Sequence, residues 1–155
     1  MTQYRVRIPE ELYALVECQR EGLPAVMVIN QALLNFPWPD VFGHHLSIII
    51  DLVNIADNGM PSPPEQKIAF AFSDSLDTVL KGAPDHPNAL FLARITWNRT
   101  LQLIYRIHDP ESAHAALQII IDRKTHQREF DYRIDPDVRW EMSRWYLDAV
   151  SPKPH

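Results

Sequence analysis

Apolar residues fall into two periods along this chain, and the change of period marks its elements. Residues 12–20 are rich in β-formers and end at Glu21-Gly22, after which 25–29 form an apolar, β-branched run, so the two read as a hairpin. Residues 45–53 place Leu46, Ile48, Ile50 and Leu52 on one strand face, with His45, Ser47, Ile49 and Asp51 on the other. The second face is mixed, which predicts partial cover by another element. Strands at 90–97 and 101–107 join through Asn98-Arg99, and residues 129–134 alternate with Phe130, Tyr132 and Ile134 inward.

Helical spacing appears in three places, each headed by a capping residue and a proline: Ser62-Pro63, Asp109-Pro110 and Asp135-Pro136. Proline loses nothing at the first helical position, where its missing N–H would have no intrahelical partner, and the Ser or Asp accepts from free first-turn amides. Ser62 with Glu65 has capping-box form. The first helix carries Ile68, Phe72, Leu76, Val79 and Leu80 and stops at Lys81-Gly82; the second buries Ala113, Ala116, Leu117 and Ile120. The third, starting at Pro136, presents Val138, Met142 and Trp145.

The order is a hairpin, then β-α-β-β-α-β, then a terminal helix. This predicts an α+β fold: a ferredoxin-like two-layer sandwich with an added N-terminal hairpin and a C-terminal helix. Both helices cover one face of a mainly antiparallel sheet, right-handed crossovers set the helix-connected strand pairs side by side, and the early hairpin extends the sheet or folds over its open face. Expected core positions are Ile48, Ile50, Phe72, Leu76, Ile95, Leu103, Leu117, Ile120, Phe130 and Tyr132. The whole chain, 1–155, reads as one domain with its core over about 12–150 and a frayed tail at 151–155.

Composition narrows the function. A net charge of −5 argues against nucleic-acid binding, which needs a basic surface. No apolar run is long enough to span a bilayer, the first residues lack the apolar core of a signal peptide, and one cysteine, Cys18, precludes an intrachain disulfide. A soluble, cytoplasmic protein is the expectation. Thirteen prolines against four glycines make the loops stiff.

Several segments resemble a bacterial family catalogued as domain of unknown function number 695, related to the group of regulator B of ribonuclease E activity. They are Gly22-Leu-Pro-Ala-Val-Met-Val, Asp57-Asn-Gly-Met-Pro61 with Glu65, the hairpin from Ala93-Arg-Ile-Thr-Trp97 to Leu103-Ile-Tyr-Arg-Ile-His-Asp109, and Asp137-Val-Arg-Trp140 with Trp145-Tyr146 and Pro152. The chain departs from the family at Asn98-Arg99, where the family tends to have Gly, and in a more proline-rich loop around Trp38. The resemblance implies a ferredoxin-like fold and a bacterial cytoplasmic setting; it supplies no activity.

No catalytic set stands out. His44 and His45 point to opposite faces of a strand, no two-histidine metal motif occurs, and Cys18 reads as an inert packing residue. Neither a metal nor a cofactor is expected. The aromatics carry the leading reading, a non-catalytic protein-binding or regulatory module. Phe36, Trp38 and Phe42 lie on the stiff loop, while Trp140 and Trp145, five residues apart and roughly 140° around a helix, cannot share one stripe. The alternative is that the loop merely closes over Trp140 as a lid to the core. The rival function is a small enzyme or small-molecule binder with a pocket between the N-terminal hairpin and the sheet, using His45, Asp51, His108 and His114. The partner expected is an unidentified protein, and a second copy could join through the strand at 12–20, whose Leu12 to Val16 stretch is unprotected by charge.

Overall fold

The computed structural model describes residues 4–151. The strands are β1 (Tyr13–Arg20), β2 (Leu23–Asn30), β3 (His44–Asp51), β4 (Ala89–Trp97), β5 (Thr100–Ile107) and β6 (Phe130–Pro136), and the α-helices are α1 (Pro63–Lys81), α2 (Pro110–Arg123) and α3 (Arg144–Asp148). The expected frayed tail lies, apart from Ser151, outside the described residues.

All strand pairs are antiparallel in one six-stranded sheet of order β1-β2-β4-β5-β3-β6. The hairpin β1–β2 therefore extends the sheet at β4. The helix-connected pairs do not lie side by side but interleave: β5 separates β3 from β4, and β3 separates β5 from β6. On one face α1 and α2 bury Ala69, Phe72, Leu76, Leu80, Ala113 and Leu117 against Leu46, Ile48, Ile50, Leu101, Leu103, Tyr105 and Ile107. Ile120, Phe130 and Tyr132 are partly buried against this core. Ile95 belongs instead to a second core on the other face, so the sheet is not the two-layer sandwich expected. There Met27, Ile29, Leu90, Leu92 and Ile104 pack beneath Tyr4, Leu33, Phe36, Phe42 and Trp140.

Local chemistry explains most boundaries. The Ser62 hydroxyl accepts from the Glu65 amide at 3.3 Å, and the Asp109 carboxylate accepts from the Glu111 and Ser112 amides. Glu65 does not complete the capping box: its carboxylate accepts from the Val53 amide and from Arg128, and the Ser62 amide donates to Asn54 O instead. Arg99 sits at φ +71°, held because its amide donates to Gly59 O (2.9 Å) and its carbonyl accepts from Leu52 N (3.0 Å). Gly59 is required there, since a Cβ on it would lie 2.9 Å from Asn98 Cα.

The third helix does not start at Pro136. That proline ends β6 opposite His44, and Asp137 N donates to Gly43 O at 2.7 Å, so sheet pairing claims the segment. A strand end on the sheet's edge tolerates proline. Trp140 then adopts φ +58°, followed by a 3-10 turn (Glu141–Ser143) and only the five residues of α3. Val138, Met142 and Trp145, expected at helical spacing on that helix, are exposed, and Cys18 is exposed rather than packed.

Candidate functional site

Arg106 organises the covered part of the sheet's second face. It projects from β5 opposite His45 and is fully buried. Its Nε donates to Phe42 O (3.2 Å), Nη1 to Asp137 Oδ2 (2.9 Å) and Ser143 Oγ (3.0 Å), and Nη2 to Asp137 O (2.5 Å). The guanidinium carbon lies 4.7 Å from the Trp140 ring centroid. Burial lowers the Arg106 pKa to about 10, opposed by Asp137, so the cation persists at neutral pH. Burial pushes the Asp137 carboxyl up, but amides of Met142 and Glu141 and the Arg106 charge outweigh it and hold it below its ordinary value. One arginine thus pins the loop at 42 and the turn at 137–143 onto β5.

His45 stands beside this cluster, with Nδ1 3.4 Å from Arg106 Nη1. Arginine only donates, so Nδ1 accepts and the neutral ring carries its proton on Nε2. Burial first, then the Arg106 charge, pushes the His45 pKa down to about 4, against Asp137 and Asp135. The residue as a whole is 4% exposed, and among the described residues Nε2 has no hydrogen-bond partner.

His45 lines an open trough of about 670 Å³ on the part of this face that the C-terminal segment leaves bare. Ser47 and Gln102 share its floor, where Gln102 Nε2 donates to Ser47 Oγ at 3.0 Å. That bond leaves the Ser47 O–H to donate and Gln102 Oε1 to accept, on the same trough as the His45 Nε2–H. Ile49, Met142 and Tyr146 give the trough apolar surface, with Ile49 44% and Met142 43% exposed. Asp131, Arg133 and Asp135 of β6 form the rim, and Arg133 Nε lies 2.9 Å from Asp135.

The aromatic loop is folded onto Trp140. The Phe36 and Trp140 rings stack at 5.4 Å, and Trp140 Nε1 donates to Pro39 O and Phe42 O. Phe36, Phe42 and Trp140 are buried, leaving Trp38 and Trp145 exposed, at 40% and 55%. Trp38 meets Phe36, whereas Trp145 meets Tyr146 and Arg20.

The four polar residues expected to share a pocket do not meet. The hairpin is part of the sheet, so no cleft separates them. Asp51 is six positions along β3 from His45, on the order of 20 Å. His108 lies under the loop with Nδ1 2.6 Å from Val41 O, and His114 is on the helix-bearing side against the Tyr132 hydroxyl. Sequence reading missed Arg106, Ser47 and Gln102. A lone arginine between Tyr105 and Ile107 in an apolar strand was the available signal for the first. Among the described residues no His, Cys, Asp or Glu group could hold a metal ion, and no helix is long and apolar enough to cross a membrane.

The chain belongs to the Family of unknown function (DUF695), whose pattern matches residues 13–148. No curated protein and no solved structure matches it.

Proposed function

We propose that this member of family 695 is a non-catalytic recognition module that binds a segment of another protein in the trough beside Arg106. The observation that carries this reading is the His45 Nε2–H, without a hydrogen-bond partner among the described residues on a largely buried side chain that lines the trough. The Ser47 hydroxyl and Gln102 carbonyl beside it suit a peptide backbone, which offers both acceptors and donors. Exposed Ile49 and Met142 suit an apolar side chain, and Asp131 and Asp135 outnumber Arg133 on the rim, favouring a neighbouring basic one. The test is selection from a random-peptide display library. Enrichment of basic-apolar peptides, lost on Ile49→Glu and on Gln102→Ala but kept on Trp38→Ala, supports the reading. No enrichment, or enrichment indifferent to Ile49→Glu, overturns it.

The strand order β6-β3-β5-β4, with α1 and α2 on one face, supports reading this part as a ferredoxin-like unit extended by β2 and β1. A reducing, cytoplasmic setting suits the single exposed thiol of Cys18.

The edge of β1 favours a second reading, pairing with another copy of the chain. Leu12 O accepts from Gln31 N, so even-numbered positions bond to β2 and the backbone groups of Tyr13, Leu15, Glu17 and Gln19 face outward. Leu12, Tyr13 and Leu15 are 59%, 56% and 65% exposed. An antiparallel pair centred on Leu15 sets Tyr13 opposite Glu17, whereas one centred on Glu17 opposes two carboxylates. Sedimentation showing a dimer that Leu15→Lys converts to an 18.0 kDa species supports this; an 18.0 kDa wild type refutes it.

A further inference from the structure

A second cavity, of about 260 Å³, lies on the opposite, helix-bearing side of the sheet and shares no lining residue with the trough. It sits between α1 and the strands β1, β2, β4 and β5. Three rings wall it: Tyr13 meets Phe91 edge-on at 6.1 Å, and Phe91 meets Tyr105 edge-on at 5.6 Å.

Its polar groups divide into those already engaged and those that are not. Asp77 accepts from the Tyr105 hydroxyl at 2.6 Å and pairs with Lys81 at 3.0 Å; Glu11 pairs with Lys81 at 2.8 Å and accepts from the Tyr13 hydroxyl. These bonds tie the chain before β1 to α1. Arg94, by contrast, rests its guanidinium 3.9 Å from the Phe70 ring centroid and makes no hydrogen bond among the described residues. The Ser73 hydroxyl is equally unpartnered on a residue only 5% exposed, and the exposed Asp74 carboxylate holds no ion pair. Burial lowers the Arg94 pKa, with Asp74 the leading opposing charge. A half-desolvated guanidinium has five donors in a fork shaped for a carboxylate, and the Ser73 hydroxyl beside it is available as a further donor.

We propose that this cavity binds a free α-amino acid with an apolar side chain. Its carboxylate lies on Arg94 and Ser73, its ammonium on Asp74, and its side chain among Tyr13, Phe91 and Tyr105. No covalent step is involved.

The experiment is an NMR titration of the full chain with three probes: L-phenylalanine, 2-phenylethylamine, which lacks the carboxylate, and 3-phenylpropanoate, which lacks the ammonium. Phenylalanine should shift the amides of Ser73, Asp74 and Arg94 and bind at least about tenfold more tightly than either half-ligand. Arg94→Gln should abolish the phenylalanine advantage over 2-phenylethylamine. Ser73→Ala, a small change on a helix, should weaken phenylalanine and leave the amine unaffected, which separates loss of the site from loss of fold. Amine binding as tight as phenylalanine, binding indifferent to Arg94→Gln in a protein with native-like spectra, or no shift at about 10 mM probe would each overturn the proposal.

Discussion

Glu65 and Arg128 form a two-pronged ion pair, with Nε 2.7 Å from Oε2 and Nη2 2.5 Å from Oε1, that fastens the first turn of α1 to the segment entering β6. The Glu65 side chain is 2% exposed and also accepts from the Val53 amide. Arg128 leads the influences that pull its pKa down to about 2, burial opposing.

Because the folded value lies below the ordinary 4.5, the pair's contribution is present above that pH and is lost as pH falls toward 2. Arg128→Ala should cost about 2–3 kcal/mol at pH 7, since it strands a buried carboxylate. Urea unfolding at pH 7 and pH 3 checks both: the variant should show a smaller loss between the two than wild type.

His45 acts in a higher window. Its folded pKa of about 4 lies below the ordinary 6.5, so between these values the unfolded chain binds more protons. Its neutral-state advantage is complete above pH 6.5 and is lost as pH falls to 4. His45→Gln, which keeps an acceptor for Arg106, should flatten the stability profile in that interval. An unchanged slope in the urea midpoints would count against the assignment.

Arg106→Lys keeps the charge and loses the fork, so Phe42 O, Asp137 and Ser143 cannot all be bonded at once. A loss of about 2–4 kcal/mol is expected. Faster amide exchange at Trp140 and Ser143, with α1 unaffected, would locate the damage in the 137–143 turn.

Gly59→Ala combines a positive φ with a Cβ pressed on backbone at Asn98. The neighbour is main chain and cannot swing aside, so a loss of more than about 1 kcal/mol is expected. Calorimetry measures it, and Gly22→Ala, at a positive φ with nothing within 4 Å, is the control that should cost less.

The chain's own pattern settles whatever depends on near neighbours. Period-two alternation marks β3, β5 and β6, and Ser62, Asp109 and Gly82 bound their helices because capping involves atoms a few residues apart. Asp135-Pro136 carries the same local signal yet ends a strand, because β3 lies alongside and the Asp137 amide reaches Gly43 O. Register against a distant strand outweighs a preference worth about 1 kcal/mol. The aromatic loop was legible as stiff, but whether Phe36 and Phe42 face water depended on Trp140, about a hundred residues away in sequence. Arg106 looked like one polar residue in a strand until four distant groups converged on it. The trough joins β3, β5, β6 and the 142–146 segment, and only the tertiary structure decides which faces of those elements meet.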